Sequence, residues 1–202
     1  MYEPREDSYL LQDSVKEFLK KNKITVALDM GTGTGIQGKT LFGKIDTVIM
    51  TDINKDATDS LLSEITDIEK KSNKTETEIK IYSGDLFENV PKEYKEKIEL
   101  IIFNPPYLPR EKDEKDDLEL TSGESGIETT KRFLTYAKEY LSRNGTIFFV
   151  ASSLADIPSL EKHMKKENYE FSVDRKKHIS FEDIIIYKAK IKKAGTKPAN
   201  KK

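Results

Sequence analysis

Apolar residues along this 202-residue chain fall into short dense clusters, separated by longer stretches in which they recur at helical spacing. The clusters Thr25–Met30, Thr47–Ile53, Ile79–Ser83, Ile98–Phe103 and Thr146–Ala151 predict strands. Helical spacing predicts helices over Ser8–Lys20, about Asp56–Lys71, about Ile127–Leu141 and Ile157–Asn168. Ser142-Arg143-Asn144-Gly145 reads as a helix stop followed by a turn into the next strand. Phe171–Arg175 and Asp183–Ile191 close the pattern, and the alternation of the second predicts an antiparallel hairpin strand. Strands alternating with crossover helices predict an α/β fold: a mostly parallel seven-stranded sheet, mixed at its C-terminal end, with helices on both faces.

The rhythm runs without a Gly/Pro/Ser-rich break, so one domain is expected from 1 to about 191, followed by a basic, disordered tail over 192–202. The charged stretch Pro109–Glu124 stands outside it and reads as a solvated loop. Lys and Arg number 35 against 36 Asp and Glu, a net charge of −1, which gives no global bias toward nucleic acid or anionic membrane. No apolar run is long enough to span a bilayer, and the charged N-terminus is no signal peptide, so a cytoplasmic protein without membrane contact is expected. With no cysteine and only His163 and His178, no metal site is expected.

The chemistry gathers behind successive strands. Asp29-Met30-Gly31-Thr32-Gly33-Thr34-Gly35 follows the first, where Gly31, Gly33 and Gly35 permit a tight turn and close approach of a ligand to the backbone. Glycines at such a turn also serve simply to pack a helix on a strand. Asp52 ends the second strand, where a carboxylate can accept from both hydroxyls of a ribose. Asp85, in Gly84-Asp85-Leu86, ends the third, placed to accept from an adenine amino group while Leu86 packs on the ring. Each Asp alone is equally a cap or turn residue, but three behind consecutive strands of an open sheet border one crevice. Asp29 beside the glycine turn suits a cation better than a pyrophosphate, which points to S-adenosylmethionine, whose amino-acid part Asp29 would hold through water or Gly31.

The fourth strand stops at Asn104-Pro105-Pro106-Tyr107. Prolines end strands and Asn starts turns, which explains part of this tetrapeptide. Chemistry explains more. The lone pair of an amide or exocyclic amine is delocalised, so its nitrogen must be positioned rather than deprotonated before attack. The Asn104 side-chain oxygen and the Pro105 carbonyl can accept its two N–H bonds, Pro105 and Pro106 stiffen that pair, and Tyr107 can stack on the planar group.

These residues resemble the class I S-adenosylmethionine methyltransferases, and among them the HemK-type protein-glutamine methyltransferases that modify peptide chain release factors. The resemblance runs through Tyr2-Glu3-Pro4-Arg5-Glu6-Asp7-Ser8, Asp29–Gly35, Thr51-Asp52-Ile53-Asn54, Gly84-Asp85-Leu86, Phe103–Tyr107 and Ser122-Gly123-Glu124-Ser125-Gly126-Ile127-Glu128. It implies a Rossmann-like fold and cofactor contacts at Ser8, Asp29, Gly31, Asp52, Asp85 and Leu86, with Asn104 shared between cofactor and substrate; the glycine turn itself adds Gly33 to the cofactor-binding set. The opening at Tyr2 resembles the archaeal and eukaryotic branch, bacterial members carrying a helical domain before this point. That branch implies a small zinc-binding activator protein that extends the sheet, with Ile79–Ser83 as the candidate edge and a heterodimer as the working unit.

Methylation of a release-factor glutamine is therefore the leading expectation. The tetrapeptide would serve an adenine N6 or guanine N2 amine in RNA or DNA equally well, although near-neutral charge and the lack of a basic segment interleaved with aromatics favour a protein acceptor. A cofactor-binding scaffold without turnover is the third reading, against which the intact motifs stand.

Overall fold

The computed structural model describes residues 3–71, 76–109 and 123–192. Seven strands, β1 (Val26–Met30), β2 (Thr47–Asp52), β3 (Glu78–Ser83), β4 (Ile98–Phe103), β5 (Leu141–Ser152), β6 (Tyr169–Ile179) and β7 (Glu182–Ile191), form one sheet in the order β3-β2-β1-β4-β5-β7-β6. β1 to β5 pair in parallel, and β7 lies antiparallel to both β5 and β6. The strand order reverses between β1 and β4. Their carboxyl ends therefore flank the crevice in which open α/β sheets bind ligands.

Among the described residues five α-helices cover the sheet: α1 (Glu6–Leu19), α2 (Ile36–Thr40), α3 (Lys55–Lys71), α4 (Glu128–Tyr140) and α5 (Ile157–Lys166). The period-2 alternation of each central strand sorts its side chains between two cores. On one face Ala27, Met50, Leu100, Ile102 and Phe148 meet Leu11 and Val15 of α1 and Leu61 of α3. On the other, Leu28, Ile101, Phe103 and Phe149 meet Phe133 and Leu134 of α4 and Leu160 of α5. Phe103, the last residue of β4, packs its ring 4.6 Å from that of Phe133, which ties the start of the Asn104 tetrapeptide to α4.

The expected architecture is present, with differences at specific places. Ser142–Gly145 is no turn: β5 begins at Leu141, which pairs with Ile98, and the next pair is Leu100 with Thr146, so the intervening residues bulge out of the ladder. Gly145 fits there because a Cβ would sit 2.6 Å from Leu141 Cδ1 and 2.9 Å from the Ile98 carbonyl oxygen. β6 runs from Tyr169 to Ile179 rather than over Phe171–Arg175, since its polar residues lie on an edge strand where little is buried. The short α2 is a further helix, entered through Gly35. Tyr2, residues 110–122 of the charged stretch and the tail beyond Lys192 lie outside the described residues.

Gly35 caps α2 at φ +79°, and a Cβ there would lie 2.6 Å from Leu61 Cδ2 of α3. Gly35→Ala is expected to cost about 1–3 kcal/mol through left-handed strain and overlap, read as a lowered urea midpoint with an unchanged slope.

Candidate active site

The carboxyl ends of β1, β2 and β4 and the residues after β3 border a cavity of about 530 Å³, a size suited to a nucleoside-sized ligand. Ser8, Asp29, Gly31, Gly33, Asp52, Asp85, Leu86, Asn104, Pro105, Pro106 and Tyr107 all line it. Residues 97 positions apart in sequence, Asp7 and Asn104, are brought into contact there.

Asp29 is 1% exposed, and one of its oxygens accepts from Thr32 Oγ1 at 2.6 Å and from the Gly38 backbone N–H at 2.8 Å. The carboxylate thus holds the glycine turn against the first turn of α2. Burial pushes its pKa up to about 7, with the nearby Asp52 charge adding to the rise and the two hydrogen bonds opposing it. Asp52 accepts from the Gly33 N–H at 2.8 Å with one oxygen and from the Asn54 N–H at 2.8 Å with the other. Both oxygens keep lone pairs for further donors. Gly33 itself, at φ +51°, has nothing within 4 Å of where a Cβ would lie, so the backbone borders open space.

Asp85 has an ion-pair partner. Arg132 of α4 donates to its carboxylate at 2.5 Å, and both side chains line the cavity. Arg132 went unnoticed in the sequence because nothing local links a helix surface position to a strand end 47 residues away.

At the acceptor end, Asn104 Nδ2 donates to Asp7 Oδ2 at 3.0 Å and to Ser8 Oγ at 3.3 Å. The Tyr107 hydroxyl donates to the same Asp7 oxygen at 3.2 Å. Asp7 is 2% exposed and can only accept when ionised, so it turns the Asn104 amide to put Nδ2 toward α1. Asn104 Oδ1 is left buried without a hydrogen-bond partner. Gln37 shows the same arrangement: Nε2 donates to the Ser8 carbonyl at 2.8 Å, and Oε1 is buried without a partner. An orphaned buried acceptor costs about 1–3 kcal/mol, and both of these side chains line the cavity. They fit a ligand bearing N–H donors or positive charge. Asp7 and Gln37 were missed as site residues, Asp7 because it reads as a first-turn helix acid and Gln37 because a glutamine after a glycine turn carries no signal by itself.

Residues 10–178 match the model of the methyltransferase small domain. The chain belongs to that family. Among methyltransferases it is of the HemK type, as the motifs implied. A Methanocaldococcus jannaschii protein provisionally named a protein N5-glutamine methyltransferase is 28% identical to it, over 94% of this chain and 91% of that one. The release factor glutamine methyltransferase of Clostridium acetobutylicum is 30% identical over 74% of this chain, which spans about half, 54%, of that relative's length. Among solved structures, the E. cuniculi Mtq2-Trm112 complex, described as responsible for methylation of the eRF1 translation termination factor, matches with a TM-score of 0.71 at 23% identity. It covers 95% of this chain and 98% of its own. That likeness shows the fold. Among the described residues no group of His, Cys, Asp and Glu is placed to hold a metal ion, and no helix is long and apolar enough to cross a membrane.

Two outcomes are expected of this methyltransferase. Because Asp29 has its folded pKa raised toward 7, the folded chain binds a proton more tightly than the unfolded chain between about pH 4 and 7. That stabilisation is complete below the unfolded value and drains away as pH rises, at about 1.4 kcal/mol per pH unit within the window. Asp29→Asn removes the slope, so its melting temperature should gain on the wild type between pH 5 and pH 8; a constant difference would contradict the assignment. Asp7→Ala frees the Asn104 amide and should lower kcat for methyl transfer roughly 10–100-fold, the scale of a misplaced donor or acceptor. KM and cofactor affinity should hold, and Asp7→Asn should recover part of the rate through its remaining acceptor oxygen.

Proposed function

We propose that this methyltransferase transfers a methyl group from S-adenosylmethionine to the side-chain amide nitrogen of the Gly-Gly-Gln glutamine of a peptide chain release factor. The observation that carries this reading is Asn104 Oδ1: buried, unpartnered, and held in orientation by Asp7 at the tetrapeptide end of the cavity. The names of the relatives, glutamine and release-factor methyltransferases, support the acceptor.

When bound, S-adenosylmethionine supplies an electrophilic methyl group on a sulfonium leaving group, so neither a metal nor a covalent enzyme intermediate is required. Asp52 would accept from the ribose hydroxyls, as its two oxygens have capacity beyond the Gly33 and Asn54 N–H groups. Gly31 and Gly33 would let the ligand approach the backbone, Leu86 would pack on its adenine, and Asp85, fixed by Arg132, would accept from the adenine amino group. Asp29, Ser8 and the Gln37 oxygen would face the amino-acid end. Asn104 Oδ1 and the Pro105 carbonyl accept the two N–H bonds of the glutamine amide, which turns the nitrogen's lone pair toward the methyl group. Pro105 and Pro106 limit the freedom of that acceptor pair. Tyr107, anchored to Asp7, flanks the planar amide.

The same reading includes a small zinc-binding activator that pairs with β3. In its support, β3 is a sheet edge with one neighbour, β2, and its residues from Ile79 to Ser83 are half-buried. The described Mtq2-Trm112 complex supplies the precedent of a partner protein.

The test offers labelled methyl donor to the chain with its activator in the presence of a release factor, a loop Gln→Ala release factor, and total RNA. Label is expected in the intact release factor alone. Transfer to RNA would reassign the acceptor to a base amine. Asn104→Ala should lower transfer at least about 100-fold, with cofactor affinity by calorimetry changed only a few-fold.

A further inference from the structure

The β6–β7 hairpin ends in a two-residue turn, Ser180-Phe181, closed by the pairing of Ile179 with Glu182. Because β7 runs antiparallel to β5, this turn lies at the same sheet edge as the cavity. Phe181 is 93% exposed, more than any other large apolar residue among those described. Ser180 holds φ +51°, a left-handed conformation that turns of this kind usually give to glycine. The turn therefore carries backbone strain while presenting an aromatic ring to solvent.

The tip is not a loose end. The Ser152 hydroxyl donates to Glu182, the Ser153 N–H to the Asp183 carbonyl at 2.9 Å, and the Asp183 N–H to Ser153 Oγ at 2.8 Å. These bonds fasten the start of β7 to the segment after β5, where Leu154 stands 52% exposed. The segment continues to Ala155, whose Cβ would be 3.2 Å from a Cβ on Gly126, and Gly126 abuts the Tyr107 carbonyl oxygen. A path of contacts thus leads from the tetrapeptide through Gly126 and Ala155 to the Ser153–Asp183 hydrogen bonds, two residues from Phe181. Phe103 at the end of β4 is level with Tyr187 through Phe149, so Phe181, six residues before Tyr187, projects about 20 Å beyond that level and roughly two strand spacings to the side.

We propose that Phe181 and Leu154 form an apolar docking edge for the acceptor protein, engaging an apolar side chain of that protein outside the loop that enters the cavity. The inference rests on the acceptor reading above. Continuity with Tyr107 selects this occupant, since a polypeptide delivering a side chain to Asn104 passes over the rim beside it. A partner that pairs with β3 does not reach it, because β3 and β6 are the two opposite edges of the seven-stranded sheet. An aromatic on a pre-fixed backbone suits docking, having little rotamer freedom to lose.

The experiment compares wild type and the double variant Phe181→Ser, Leu154→Ser, each with the activator, on intact release factor and on a short peptide carrying only the glutamine loop. For intact release factor, KM is expected to rise about tenfold in the variant with kcat unchanged, while the peptide's KM and cofactor affinity by calorimetry stay within twofold. Unchanged KM for intact release factor overturns the docking edge, as does an equal rise for the peptide. A wild-type dimer in sedimentation that the variant dissolves assigns the surface to a second copy and also overturns it. No transfer to release factor by the wild type overturns the acceptor reading and this proposal with it, whereas wild-type transfer with an indifferent variant overturns the proposal alone.

Discussion

A buried carboxylate shapes the ligand end of this fold. Asp29 sits where β1 ends, and its hydrogen bonds to Thr32 and Gly38 bind the glycine turn and the start of α2 into one unit. The turn's shape then sets where the Gly33 N–H points, and that donor in turn orients Asp52 on β2. Two acids that would repel each other across a cavity are thereby given separate backbone donors. The energetic cost of burying Asp29 appears in its raised pKa, and a cationic ligand is the form of chemistry that would relieve it.

A second carboxylate does comparable work at the other end. Asp7 belongs to α1, yet one of its oxygens accepts from two residues that follow β4. The first turn of the first helix thus becomes part of the cavity wall, and the packing of α1 against the sheet is coupled to the orientation of one amide. That coupling gives the N-terminal motif a physical role beyond helix initiation.

Much of this was legible before any coordinates. The strand clusters and the alternation of Asp183–Ile191 determine the sheet's parallel body and antiparallel end, because burial on two faces leaves a period-2 trace. The acids at 29, 52 and 85 and the tetrapeptide at 104 were legible because each closes a strand, and parallel strands bring such ends together. What escaped was pairing at a distance. Arg132 with Asp85 and Asp7 with Asn104 join elements whose relative placement depends on the whole fold. The Ser142–Gly145 segment misled for a related reason: turn residues were present, but the ladder between Leu141 and Ile98 absorbed them as a bulge.

The fixed orientation of Asn104 also bears on which chemical form of an acceptor the site can admit. With Nδ2 committed to Asp7, this side chain offers the cavity only oxygen, and in the proposed role the Pro105 carbonyl would add a second acceptor. Two such acceptors would welcome an NH2 group and repel a carboxylate. A glutamine that has deamidated to glutamate is nearly the same size and shape, yet it would bring negative charge against two acceptors with no donor to offset it. Under the proposed function, the geometry that would activate the amide would therefore also act as a chemical filter, restricting the methyl mark to side chains that are still intact.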